Sequence, residues 1–447
     1  MMRIVIFSMC VFCALMSSGI KAQNPHWESV TPSVYQYWVN AMYEDTVSDL
    51  LYVAGGGTSG TGMLVYDGST LDTLGSYPSG AARAIVRFND TIYAGGISPS
   101  LRLSKWNGTA WDTTGLFANQ PVWSMHVYNG ELYVGGHFTS IGGVASNGLA
   151  KYDGTTWTDI SGFPFSYCYA ISAITSYNGE LYVGGSFGDS ASNVMNIARW
   201  DGTQWRGVGG GFHGGMDEVS SFEIFNNELY IGGAFTAASG NAGNYITKWN
   251  GSVLSDVGGG VIGVGSGNGQ IFDLNTFNNS LYAVGYFCYA GGIFTSYIAK
   301  WDGTDWCSLG DTFNIPISCV STLNSDLFIG GGWWILGNDT ICGFAKWIGG
   351  NFTANCGNTT GINDQIQQNS EVVLYPNPAT SVVTFEFTGF PESRSIIIYD
   401  QIGREVWRRE TTENLVSFIV NEFSAGMYFY RIEQTEQVVA TGKLLIQ

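Results

Sequence analysis

Between residues 30 and 355 the apolar positions fall in short runs broken by glycine, and the same run returns at a steady spacing. It is an aromatic strand: Leu51-Tyr52-Val53, Ile92-Tyr93-Ala94, Leu132-Tyr133-Val134, Leu181-Tyr182-Val183, Leu229-Tyr230-Ile231, Leu281-Tyr282-Ala283 and Leu327-Phe328-Ile329. Paired glycines follow directly in five copies, from Gly95-Gly96 to Gly330-Gly331. Ala54 precedes the glycines of the first copy, and the sixth reads Val284-Gly285. Tyr52 and Phe328 lie 276 residues apart across six intervals, a mean period of 46.

A second landmark trails the first: a basic residue, an aromatic, a turn, then another aromatic. The basic positions are Lys105, Lys151, Arg199, Lys248, Lys300 and Lys346, and the turns include Asn107-Gly108, Asp153-Gly154, Asp201-Gly202, Asn250-Gly251 and Asp302-Gly303. Asn-Gly and Asp-Gly are strong hairpin signals, because a type I′ turn needs positive φ at both central residues. Each repeat therefore divides into four short strands, and 46 residues is the length of a four-stranded blade. Seven units predict an all-β protein whose main part, residues 23–356, is a seven-bladed β-propeller. Either Trp27-Glu28-Ser29-Val30 or Phe352-Thr353 would close the ring. The repeat resembles kelch-like and galactose-oxidase-like propeller repeats, in particular a secreted form from Bacteroidota. That resemblance implies a fold and leaves function open, since propellers host binding, scaffolding and catalysis alike.

Composition narrows the classes. Sixty-two glycines, 45% hydrophobic and 12% charged residues describe a packed, turn-rich chain and not a disordered one. With 18 basic against 36 acidic residues, the net charge of −18 excludes nucleic acid and anionic membrane as electrostatic partners.

The ends of the chain read differently. Residues 1–22 have Arg3, the thirteen-residue apolar run from Ile4 to Met16, and small residues before Ala22, the pattern of a secretory signal peptide. No later segment has eighteen uninterrupted apolar residues, so no transmembrane span is expected after signal cleavage. Export makes disulfides permissible for Cys168, Cys288, Cys307, Cys319, Cys342 and Cys356, in any of fifteen full pairings. Residues 357–370 read as a linker, and strand-like runs in 371–447 predict a small immunoglobulin-like β-sandwich. This last region resembles the C-terminal sorting domain (type A) of the type IX secretion system. The matching residues include Tyr375-Pro376-Asn377-Pro378, Asp400, Gly403, Gly426, Tyr428 and Lys443. The resemblance implies the type IX machinery as a partner, passage through the periplasm, and a product that is secreted or held on the outer cell surface.

Repeated side chains are expected to be architecture. A buried aromatic hides about 150–250 Å², worth roughly 4–6 kcal/mol, so the landmark tryptophans read as core. The six repeated basic residues read as salt bridges or as stems lying between blades, with 25 acidic residues in positions 23–360 as partners. Gly209-Gly210-Gly211 and Gly258-Gly259-Gly260 share one repeat phase and open no helix, so they read as loops.

Departures from the repeat are the functional candidates: His137, Tyr286, Trp333 and Trp334 after the paired glycines, and His213, Asp217 and Glu218 between the fourth and fifth repeats. These are assigned as ligand contacts. No catalytic residue, metal ligand or cofactor is assigned. The expected function is non-catalytic binding of an extracellular ligand, a glycan or a protein. The alternative, a glycan hydrolase or lyase, needs acidic residues from several blades to converge.

Overall fold

The computed structural model describes residues 26–30, 37–57, 62–77, 82–100, 102–160, 167–189, 194–214, 218–238, 244–263, 269–310, 313–336, 339–349, 355–356, 371–375, 379, 381–388, 393–400, 404–420, 423–424, 426–434 and 437–446. The signal region 1–22 and the linker 357–370 lie outside them. Every regular element among the described residues is a strand, and the chain divides into two compact units, Met1–Asn358 and Thr359–Gln447.

The first unit contains seven antiparallel sheets of four or five strands, numbered I to VII here by their first strands. Those first strands are Tyr37–Asp45, Ala82–Phe88, Val122–Tyr128, Tyr167–Tyr177, Val219–Phe225, Gln270–Phe277 and Ile317–Leu323. Each touches the first strand of the next sheet, and Ile317–Leu323 returns to Tyr37–Asp45, so the contacts form a closed cycle. First strands therefore form the inner wall of a ring, and the later strands of each sheet lie outward.

Closure comes from the N-terminal segment. Trp27–Ser29 pairs with Asp339–Trp347 and completes sheet VII. Of the two candidates for that place, Phe352-Thr353 lies outside the described residues. The nearby strand Asn355–Cys356 joins a different sheet, as a fifth strand on Trp306–Ser308 of sheet VI, and Cys307 and Cys356 form a disulfide there. Cys288 is also disulfide-bonded, whereas Cys168 and Cys319 are free thiols.

The paired glycines follow from two close approaches. A Cβ on Gly95, Gly184, Gly232 or Gly330 would sit 2.4–2.6 Å from Val122, Val219, Ile271 or Val39 of the following sheet. Only glycine lets neighbouring sheets come that near, and the Gly330–Val39 contact spans the closure. A Cβ on the second glycine would collide with its own sheet, 2.1 Å from the Ala170, Glu218 or Gln270 carbonyl at Gly185, Gly233 or Gly285. Those carbonyls stand just before a β-bulge that recurs in all seven first strands. In sheet I, Ala54 replaces the first glycine, and a small partner, Ala82, packs in the same cluster.

The landmark aromatics staple the outer ring. Trp111, Trp157 and Trp306 donate Nε1–H to the Leu74, Gly115 and Val257 carbonyls of the preceding sheet, and Trp249 and Trp301 donate to the Tyr182 and Tyr230 hydroxyls. Four of the six repeated cations form ion pairs within their own sheet, Lys151–Glu131, Arg199–Glu180, Lys248–Glu228 and Lys346–Asp326, and Arg199 also lies over the Trp249 ring of the following sheet. Both glycine triplets are tight loops with φ between 57° and 87°.

The second unit has a three-stranded sheet, Glu371–Tyr375, Val382–Thr388 and Leu415–Ile419. Its four-stranded sheet is built from Glu405–Thr411, Arg394–Tyr399, Gly426–Gln434 and Gln437–Ile446. Val383, Phe385 and Phe387 of one sheet share a core with Ile396, Ile398, Tyr430 and Leu444 of the other.

Candidate functional site

The two ends of the ring differ. At one end, two-residue turns such as Asn129-Gly130 and Asn178-Gly179 join first to second strands, and Asp-Gly or Asn-Gly turns join third to fourth. The second kind is self-contained: Asp153 Oδ1 accepts the Thr155 and Thr156 amides and the Thr155 hydroxyl. The Thr156 amide, then the Thr155 hydroxyl, hold its carboxyl below the usual range. At the opposite end longer connections join one sheet to the next, and here each first strand carries its bulge.

The bulge inserts one extra residue at the same register in every sheet: Asn40, Arg83, Trp123, Ser172, Ser220, Phe272 and Ser318. All seven are half-buried. They make a circle of equivalent positions at the loop-side mouth of the ring, and their chemistry is not repeated: two aromatics, a guanidinium, a carboxamide and three hydroxyls. Trp38, two positions before the sheet I bulge, is 50% exposed.

Several residues singled out in the sequence gather at this end. His137 is exposed and lies 4.7 Å from the ring of Tyr169, itself 65% exposed. Glu218 immediately precedes the first strand of sheet V, and its Oε1 accepts the hydroxyl of Ser172, the sheet IV bulge residue, at 2.8 Å. Tyr286 is opposite Gln270 in register and stacks on Tyr297 at 6.3 Å. Trp333 and Trp334 extend the second strand of sheet VII beyond its glycines, opposite Cys342 and Ile341. His213 is not in an open loop: Phe212–His213 pairs with Ala237–Ala238, and the imidazole is exposed. Asp217 lies outside the described residues.

Sequence reading missed the bulge circle. Its signal was available as the residue just inside each apolar first strand, the position that varies while its neighbours repeat.

Deeper in the inner wall, two carboxylates join sheets. Asp273 accepts the Ser221 hydroxyl at 3.1 Å, the Leu274 amide at 2.9 Å and the Val320 amide at 3.0 Å, linking sheets V, VI and VII. Burial nevertheless pushes its carboxyl up to about 6. Glu223 accepts the Thr276 amide at 3.0 Å, and burial, outweighing that bond and aided by the Asp273 charge, takes it to about 7. At the register position of Glu223, but in sheet III, burial drives His126 down to about 4, and its Nε2 sits 3.0 Å from Ser176 Oγ. The closest cluster of metal-type ligands among the described residues, Asp302 with Cys307 and Cys356, is the disulfide and one exposed carboxylate.

In the second unit, Tyr428 is buried and donates to the Ser424 carbonyl, and Asp400 caps a turn by accepting the Arg404 amide and guanidinium. Gly426 pairs with Ile446, and Lys443 with Phe429. The backbone of Tyr375 is in a strand, whereas Pro376, Asn377, Pro378 and Gly403 lie outside the described residues.

The chain is thus an all-β protein of small antiparallel sheets. Residues 373–447 match the family model described as "Secretion system C-terminal sorting domain", so the chain carries the sorting domain of the type IX secretion system, which implies export to the cell surface or secretion. No helix among the described residues is long and apolar enough to cross a membrane. No curated protein matches the chain. Among solved structures, one similar chain is PorZ, an essential bacterial surface component of the type-IX secretion system of human oral-microbiomic Porphyromonas gingivalis. It is 13% identical at a TM-score of 0.46, over 93% of this chain and 61% of that one, so the present chain spans under two thirds of its length. A fungal alcohol oxidase of the AA5 family, in complex with copper, is 10% identical at a TM-score of 0.40 over 95% and 99%. The Neurospora crassa Pan2 WD40 domain is 11% identical at 0.42 over 73% and 96%.

Proposed function

We propose that this chain is a secreted or surface-displayed seven-bladed β-propeller, residues 23–356, that binds an extracellular glycan or protein at the loop-side mouth without catalysis. In this reading residues 1–22 are a signal peptide and 357–370 a linker. The domain at 371–447 folds as an immunoglobulin-like sandwich and engages the type IX machinery after passage through the periplasm. The closed cycle of seven sheets supports the propeller, with its kelch-like repeats of Bacteroidota type.

The observation that carries the binding reading is the bulge circle beside Trp38 and the His137–Tyr169 pair. Half-buried aromatic, hydroxyl, carboxamide and guanidinium side chains at seven fixed positions, beside the exposed rings of Trp38 and Tyr169, supply stacking and hydrogen bonds, the needs of a sugar or peptide ligand. The neighbouring carboxylates are already used as structure: Glu218 holds Ser172, and Asp273 holds three sheets. A hydrolase or lyase would need them aimed at substrate.

The test is a glycan array, with a surface-proteome capture in parallel, using the full mature chain and a Trp38→Ala/Tyr169→Ala variant. Selective ligand capture that the variant loses by tenfold or more is expected. Equal capture by both proteins would refute the assignment of this mouth.

A further inference from the structure

At the opposite, turn-side end a cavity of about 490 Å³ opens between sheets III, IV and V, lined by Val127, Asn129, Ser176, Asn178, Ile224 and Asn227 among others. Its origin is legible in one register position. The residue paired with the landmark leucine or isoleucine of the second strand is Glu44 in sheet I and Arg87 in sheet II. Those long side chains reach neighbours: Glu44 accepts the Thr322 hydroxyl, and Arg87 clamps Asp45. In sheets III and V the same position holds Val127 and Ile224, which carry no polar group, and in sheet IV it holds Ser176, whose short hydroxyl reaches only His126 Nε2 of sheet III at 3.0 Å, so space is left.

The walls are fixed before any ligand arrives. Tyr128 donates its hydroxyl to the Gly179 carbonyl at 2.6 Å, and Tyr177 donates to the Asn227 carbonyl at 2.9 Å. Asn129, Asn178 and Asn227 are held at φ of 50°, 50° and 62° by their turns. The lining carries no Asp, Glu, Lys, Arg or His. Carboxamides supply donors and acceptors together, and Ile224, 43% exposed, offers an apolar floor. An uncharged wall gives no ion pair to a charged ligand. The volume falls in the range of small-ligand sites, about 300–1,000 Å³.

We propose that this turn-side cavity is a second binding site, for a neutral, hydroxyl-rich ligand of mono- or disaccharide size. It is independent of the loop-side mouth. The test is saturation-transfer NMR on the full mature chain with glucose, galactose, N-acetylglucosamine, cellobiose and lactose as probes. Ile224→Trp fills the cavity. Asn129→Gly/Asn178→Gly removes two carboxamides while keeping the positive φ, and decides the matter should the tryptophan variant fail to fold. At least one sugar is expected to bind, with affinity lowered tenfold or more by either variant and unchanged by Trp38→Ala. No transfer to any of the five probes overturns the proposal. So does binding that survives the cavity variants, or binding that is lost only with Trp38→Ala.

Discussion

Trp27 and Trp347 face each other across the register of sheet VII, with ring centroids 4.9 Å apart and planes at 64°. One belongs to the first described segment of the chain and the other to the last strand of the repeat, so this contact joins the two ends of the ring. Trp27 is 2% exposed and also meets Phe313. Trp27→Ala should cost about 3–5 kcal/mol, read as a lower denaturant midpoint. A change below about 1 kcal/mol would mean that the seventh sheet does not depend on the N-terminal strand.

The Arg87–Asp45 pair ties sheets I and II, with Asp45 only 1% exposed. Burial raises the Asp45 carboxyl, but Arg87, Ser48 and the Val47 amide outweigh it and leave it below the usual range. A depressed folded value means stability that is present above about pH 4 and lost as pH falls through the folded value. Arg87→Ala should remove about 3 kcal/mol at pH 7 by stranding a buried charge, and less at pH 2, as measured by urea unfolding at the two pH values.

Glu223 acts with the opposite sign. Its folded value of about 7 lies above that of an unfolded glutamate, so the native state holds the extra proton and stability falls as pH rises from about 4.5 to 7. Glu223→Gln should flatten that slope and stabilise the protein by up to about 3 kcal/mol at pH 8. Thermal unfolding from pH 5 to 8 checks it, and an unchanged slope would show that Glu223 ionises normally.

The Cys307–Cys356 bond closes a span of 49 residues that contains all of sheet VII except its N-terminal strand. Loop-closure entropy for that length is about 4 kcal/mol. Cys307→Ser should therefore lower stability by about 2–4 kcal/mol, and protease should cut first at the freed segment around 355–356. Full resistance there would show that the fifth strand of sheet VI holds without the bond.

Most of the architecture was written in the period. The two landmarks marked second and third strands because their residues are fixed by contacts that recur from sheet to sheet: glycine by sheet proximity, tryptophan by a carbonyl or a tyrosine hydroxyl one sheet away. The cation–acid pairs show how local the code is. Glu131, Glu180, Glu228 and Asp326 open second strands opposite paired cations, whereas Thr91 and Ser280 take that place in the repeats of Lys105 and Lys300. The site was less legible. His137, Glu218 and Tyr286 stood out as departures from the repeat, but Trp123, Phe272 and Arg83 did not, because a bulge is a register event that periodicity averages away. Disulfide pairing was illegible for a similar reason: Cys356 crosses to sheet VI after ring closure, a path that spacing does not encode.

At the loop-side mouth the chain is expected to bind its ligand without turning it over. The most direct measurement incubates the best glycan-array ligand with the full mature chain and follows both bound fraction and product masses, beside Trp38→Ala/Tyr169→Ala, Glu218→Gln and Asp273→Asn. The expected result is ligand recovered intact in every case, with binding lost only in the aromatic variant. Cleavage by the native chain that disappears in Glu218→Gln or Asp273→Asn would contradict it and make the protein an enzyme.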